Sequence, residues 1–235
     1  MTTRKRIAVI PARGGSKRIP RKNVIDFVGR PMIAWTINAA LGAGIFDRVL
    51  VSTDDEEIAE VARRCGAAVP FLRLSAADDS SHASAATKVA LEQAMEHWSE
   101  SYDVVAQLMP NCPLRSATDI VDAVRMFDRR GADFQISCFR YGWMNPWWAA
   151  TIADDGQPTP KFPEAAKARS QDLPPLYCPT GAIWIARATA FLAAETFYGP
   201  EHRFEPLPWT AAVDIDDYDD LLFARAVKRM ECEGA

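Results

Sequence analysis

Residues Ile7 to Asn23 read IAVIPARGGSKRIPRKN. Apolar residues run straight into two glycines and five cations, Arg13, Lys17, Arg18, Arg21 and Lys22. The first part predicts a buried strand over 6–11, and the second a wrapping loop. Glycines let a backbone approach phosphate oxygens, while N–H groups and cations neutralise them. The expectation is a polyphosphate cradle; a solvated basic loop behind an edge strand is the plainer alternative. Two common phosphate loops do not fit. The G-x-x-x-x-G-K-[ST] pattern would place Gly at Ile10 and Lys at Ser16. G-x-G-x-x-G is absent, and Pro20 argues against a helix directly behind the glycines.

Outward from this stretch, strand and helix patterns alternate. Helices are predicted over 31–41, 56–65, 84–98, 118–130, 189–195 and 218–230. Strands are predicted over 49–52, 104–108, 134–137, 182–186 and 213–215, with a short extended piece over 68–72. Thr53, Asp54 and Asp55 supply capping chemistry for the second helix. Strands that are nearly all apolar, separated by helices, indicate a parallel sheet covered on both faces. The rhythm breaks after Cys138, where Trp143, Trp147, Trp148 and many prolines crowd together. That segment reads as an insertion of loops and extended pieces, either a partner surface or an irregular cover over the sheet edge.

The chain has 235 residues, enough for one large domain, or one with a sizeable insertion. Its formal net charge of -4 argues against a general nucleic-acid binder. Nine of the first 30 residues are Lys or Arg, which favours a local anionic site instead. Five widely spaced cysteines without C-x-x-C suit a reducing compartment rather than zinc or disulfides. No apolar run approaches membrane-spanning length, and none resembles a signal peptide. The expected location is cytoplasmic, with no membrane partner.

A second cluster is DIDDYDD at 214–220. In the predicted strand, Asp214 and Asp216 point to one face. Two adjacent carboxylates repel unless a cation lies between them, and magnesium on one or two carboxylates plus phosphate oxygens is a common answer. Asp217, Asp219 and Asp220 read as N-terminal charges of the last helix. Gln107 and Asn111, in QLMPNCPLR at 107–115, stand at the carboxyl end of a predicted strand, where open parallel sheets bind ligands. Asn111 reads equally as a turn residue. RSQDLP at 169–174, with Tyr177 beyond it, offers an arginine for a carboxylate, or simply an exposed polar turn. His82, His97 and His202 show no ligand spacing.

With these clusters in view, the chain resembles the acylneuraminate cytidylyltransferases, including the enzymes that activate pseudaminic and legionaminic acids. The resemblance rests on IPARGGSKRIPRKN at 10–23, STDDEEIAEVA at 52–62, QLMPNCPLR at 107–115, RSQDLPPLY at 169–177 and DIDD at 214–217. It implies a Rossmann-like nucleotidyltransferase fold, an α/β architecture of the GT-A-like kind. Its mostly parallel sheet would carry helices on both faces. It implies one domain over 1–235, with 139–175 as a dimerisation insertion contributing across a homodimer interface. It implies CTP and a nine-carbon sugar acid as substrates, magnesium as cofactor, and a CMP-sugar and pyrophosphate as products. Carried over by position, Ala12, Arg13, Gly14, Gly15, Ser16, Lys22, Asn23 and Arg73 match nucleotide positions. Gln107, Arg169 and Gln171 match sugar positions, with Asn111 and Tyr177 as further substrate-binding candidates beside them, and Asp214 and Asp216 match the metal aspartates. Arg13, Lys22 and Asp216 would carry the chemistry. The family segment often reads Gln-Pro-Thr-Ser-Pro-Leu-Arg, where this chain has Met109, Asn111 and Cys112; that departure bears on the preferred sugar. A synthetase for an eight-carbon sugar acid, a transferase using another base, and an inactive nucleotide-binding homologue are the alternatives.

Overall fold

The computed structural model describes residues 4–73 and 83–233. Strand β1 (Arg6–Pro11) follows the opening motif as expected, with five of its six residues buried. The basic loop ends in a small hairpin, β2 (Asp26–Phe27) with β3 (Arg30–Pro31), and helix α1 (Met32–Gly42) starts directly behind Pro31. β4 (Arg48–Ser52) and α2 (Glu56–Arg64) follow. Asp55 caps α2 by accepting the Ile58 amide at 3.0 Å. Next come α3 (Ala83–Trp98), β5 (Val104–Gln107) and α4 (Ala117–Arg130). Ser116 and Asp119 bond reciprocally across the start of α4, and Gly131 ends it at φ 64°.

β6 (Phe134–Arg140) leads into the insertion, where β7 (Ala150–Ile152) and β8 (Pro158–Pro160) form an antiparallel hairpin. β9 (Tyr177–Arg187) returns to the sheet, followed by α5 (Ala188–Ala194), β10 (Arg203–Pro206) and α6 (Tyr218–Glu233). The main sheet has the order β10-β6-β9-β5-β1-β4. β1 runs parallel to β4 and β5, and β6 runs parallel to β10. β9 is antiparallel to both β5 and β6, so it alone is reversed.

Both faces of the central strands are covered, which is why β1, β4 and β5 are nearly all apolar and buried. Ala8 and Ile10 of β1 pack with α1, α2 and α4 through Ile33, Ile37, Ile58, Ile120 and Phe127. Ile7 and Val9 face the other way, toward Ala90 and Leu91 of α3 and Phe191 of α5. A third cluster binds Ile19, Phe27 and Met32 to Leu114, Ile215, Leu221 and Ala224. It seats α6 against the basic loop and the hairpin behind it.

Three sequence expectations change. The segment 213–215 is not a strand. The Ile215 amide donates to the Asn111 carbonyl at 2.9 Å, and its carbonyl accepts Lys22 Nζ at 2.8 Å, so its polar groups are taken by a loop and a side chain. β10, reading Arg-Phe-Glu-Pro, was not expected because it lacks an apolar run. β6 and β9 extend beyond the predicted 134–137 and 182–186 as a two-stranded stem, in which Arg140 pairs with Tyr177. The insertion rises from that stem with Trp143 85% exposed and Ile152 75% exposed. Cys65, Cys112, Cys138 and Cys178 are free thiols. No helix among the described residues is long and apolar enough to cross a membrane.

Candidate active site

A cleft of about 410 Å³ opens where β1 passes into the basic loop. Arg13, Ser16, Lys22 and Asn23 line it from one side, Met109 and Asn111 from another, and Asp216 closes it. Buried Asn23 donates to the Arg13 carbonyl at 2.9 Å, which fixes the path of the loop. The loop amides are largely engaged within the chain. Ala12 N–H goes to the Ser52 carbonyl at 2.9 Å, Gly14 N–H to Asp54 at 2.9 Å, and Ser16 N–H to the Gly14 carbonyl at 3.1 Å. The cleft therefore offers side-chain cations more than a nest of free amides. Gly14 is required for another reason: a Cβ there would lie 2.7 Å from Asp55 Oδ2. At Gly15 a Cβ would meet open space.

The five cations of the loop take different partners. Arg21 leaves the cleft, bonding Asp55 Oδ2 at 2.5 Å and also Glu57. Its left-handed backbone, φ 56°, turns the chain at that point. The Arg21 guanidinium holds the Asp55 carboxyl below its ordinary value. Lys22 Nζ reaches Asp216 Oδ1 at 3.1 Å and Arg18 Nη2 reaches Asp216 Oδ2 at 2.8 Å.

Asp214 and Asp216 come together as the sequence suggested, although not through a strand. Asp214 accepts the Asn111 side-chain amide, which also bonds the Ile215 carbonyl at 3.2 Å. Its carboxyl keeps some open surface, yet the packed surroundings push its pKa up to about 6, and the charge of Asp216 adds to the push. Burial pushes Asp216 up as well, but Lys22 and Arg18 outweigh it and hold that carboxyl below the usual range. Two hard oxygen donors that repel each other fit magnesium completed by phosphate oxygens. Among the described residues no group of three or more His, Cys, Asp or Glu forms a metal cage. Asp217 and Asp220 cap α6, accepting the amides of Asp219, Asp220 and Asp216 at 2.9–3.0 Å.

The remaining candidates lie elsewhere. Arg73 is buried, with Nε and Nη1 lacking partners, and burial lowers its pKa. An orphaned guanidinium of that kind is a waiting donor site. Gln107 is fully buried, accepts the Thr87 hydroxyl at 2.7 Å, and is not part of the cleft lining. Arg169, Gln171 and Tyr177 are exposed on or beside the insertion, with Arg169 Nε bonded to Asp172 at 2.8 Å. They do not line the cleft of their own chain. His82 lies outside the described residues, and His97 and His202 sit in aromatic contacts.

Two supports had no usable sequence signal. Arg115 is buried beneath the cleft floor and bonds Ala182 O, Thr36 Oγ1 (2.7 Å) and Met109 O (3.3 Å). Gly181 passes close to Met109, where a Cβ would stand 2.9 Å from Cγ. Only packing brings these distant residues together.

Residues 7–170 match the model of the cytidylyltransferase family. A pseudaminic acid cytidylyltransferase from Campylobacter jejuni is 36% identical over 98% of this chain and 99% of its own length. A Legionella pneumophila CMP-N,N'-diacetyllegionaminic acid synthase is 34% identical over 82% of each chain. An N-acylneuraminate cytidylyltransferase from Streptococcus agalactiae is 30% identical over 93% of this chain, which spans about half, 52%, of that relative. Among solved structures, a CMP:2-keto-3-deoxy-manno-octonic acid synthetase in complex with CTP superposes with a TM-score of 0.69 at 19% identity. That match covers 97% of this chain and 99% of the other. The fold is thus that of the Rossmann-like nucleotidyltransferases, and the chain belongs to the cytidylyltransferase family.

Proposed function

We propose that this cytidylyltransferase moves CMP from CTP to a nonulosonic acid, with an acid of the pseudaminic type as its preferred acceptor. The reading is carried by one observation. The basic loop and Asp216, 194 residues beyond Lys22, line one cleft, with Lys22 Nζ 3.1 Å from Asp216 Oδ1. The end-to-end similarity to pseudaminic acid cytidylyltransferases supports the acceptor.

In this reading the anomeric hydroxyl oxygen of the sugar acid attacks the α-phosphorus of CTP. The new O–P bond forms as the bond to the β-phosphate oxygen breaks, the hydroxyl proton passes to solvent, and pyrophosphate leaves. Arg13 and Lys22 counter the triphosphate charge that would otherwise repel an incoming nucleophile. Asn23 keeps Arg13 aimed into the cleft by fixing its carbonyl. Arg73 offers its unpartnered donors to the base. Asp214 and Asp216 would hold magnesium, which when bound neutralises charge on the departing pyrophosphate. Asn111 fixes the Asp214 carboxylate against the cleft floor.

The sugar positions belong to a homodimer in this reading. Arg169, Gln171 and Tyr177 stand apart from the cleft of their own chain. The insertion over 139–175, with exposed Trp143, Met144, Trp148 and Ile152, brings such residues to a second copy.

Pyrophosphate release tests the reading, with each of the four nucleotides set against pseudaminic, legionaminic, sialic and eight-carbon sugar acids. Release is expected with CTP and greatest with pseudaminic acid. Turnover confined to the eight-carbon acid, or equal turnover with another base, would overturn it.

A further inference from the structure

Asp216 is held at both oxygens. Oδ1 receives Lys22 Nζ at 3.1 Å, and Oδ2 receives Arg18 Nη2 at 2.8 Å. Lys22 is anchored a second time on the Ile215 carbonyl at 2.8 Å. All three side chains line the same cleft. A carboxylate whose two oxygens already face cations is a poor landing place for a divalent ion. The ion must displace them or accept their repulsion. We infer that Arg18 and Lys22 are internal counter-cations that close Asp216 to metal until a triphosphate draws them off, so that metal binding waits on nucleotide. The inference rests on the cytidylyl-transfer reading, because it takes a triphosphate as the occupant of the cleft.

The partners divide the task by exposure. The Lys22 side chain is 15% exposed and doubly bonded, while the Arg18 side chain is 63% exposed. Exposed ion pairs are individually weak, so Arg18 contributes a few-fold effect and Lys22 the larger part. A triphosphate offers several negative charges at once, and guanidinium and ammonium groups pair strongly with phosphate oxygens. When it binds, both cations gain better partners, and both Asp216 oxygens are freed beside Asp214. Arg18 thus becomes a working residue of the site rather than a solvated surface charge. Arg21, in the same loop, is excluded from this role by its contacts with Asp55 and Glu57.

Manganese serves as a probe for the metal, read by water-proton relaxation on the full chain, first alone and then with CTP. Without nucleotide, Arg18→Gln is expected to bind manganese about two- to fivefold more tightly than the unaltered chain, on the scale of an exposed ion pair. Arg18→Lys should fall back toward the unaltered chain. Arg21→Gln removes the same charge from the same loop and should change little. CTP should raise the protein-bound manganese signal of the unaltered chain and close the gap to Arg18→Gln. Equal manganese affinity in the unaltered chain and Arg18→Gln would overturn the inference, as would an equal gain in Arg21→Gln. Failure of CTP to raise the signal in any variant would instead overturn the transferase reading on which it rests.

Discussion

Replacing Arg115 by Met tests whether a buried charge without a carboxylate partner supports this fold. The residue is 2% exposed and, among the described residues, makes no ion pair. Burial pulls its pKa from 12.5 down to about 10, a drop worth about 3 kcal/mol against the charged form. Against that stand hydrogen bonds to the Ala182 carbonyl, the Thr36 hydroxyl and the Met109 carbonyl. Bonds from a charged donor contribute about 1.5–3 kcal/mol each, so three outweigh the desolvation by about 1.5–6 kcal/mol. Met fills similar space but takes the guanidinium donor from the Ala182 carbonyl and leaves the Met109 carbonyl with the Thr36 hydroxyl, 3.3 Å away. In a domain of this size each kcal/mol moves the melting temperature by about 2–4 °C, so Arg115→Met should melt about 3–24 °C lower. Differential scanning calorimetry measures this directly. kcat/KM should also fall, because the Met109–Asn111 floor loses its anchor. A melting temperature equal to or above that of the unaltered chain would show that desolvation wins, and would refute the assignment of Arg115 as a net support.

Asp216→Asn should stay folded and lose at least about a hundredfold in pyrophosphate release, the scale of a lost charge-stabilising group. Near-normal turnover with magnesium would remove Asp216 from the site. Gly14→Ala forces a Cβ against the Asp55 carboxylate and should cost about 1–2 kcal/mol through the cap of α2, whereas Gly15→Ala should be close to neutral in urea melts. Similar losses at both positions would contradict the packing described. Asp55 has a depressed folded-state pKa, caused first by Arg21. Its contribution to stability is therefore present above the ordinary value of 3.8 and is lost as pH falls through the folded value below that. Melting curves between pH 3 and 7 should show Arg21→Gln with a shallower acid limb than the unaltered chain; parallel limbs would argue otherwise.

The strands and helices were legible because their causes are local. β1 reads as a buried strand from six consecutive residues, and α2 announces its start through Asp55. DIDD was legible as a carboxylate pair beside a helix cap; Asp216 lines the cleft, and Asp214 sits behind it on the Asn111 amide. The strand expected at 213–215 failed because an alternating Val-Asp-Ile triplet does not say whether a ladder partner exists, and here the neighbour is a side chain of the basic loop. β10 was invisible because its four residues earn their strand conformation from β6 alone.

The sequence by itself determined an alternating α/β chain, a cation-rich loop behind the first strand, and the residue types a metal–triphosphate site needs. These follow from periodicity and composition within short windows. Only the tertiary structure decided which cation meets which carboxylate. Arg21 turns to Asp55, Arg18 and Lys22 close on Asp216, Asn111 steadies Asp214, and Gln107 withdraws into the core. Those pairings join residues up to 198 positions apart, and they are set where α6 packs its apolar face against Ile19, Phe27 and Met32. Charge is written residue by residue, but the partner of each charge is chosen by the packing of the surfaces that carry it.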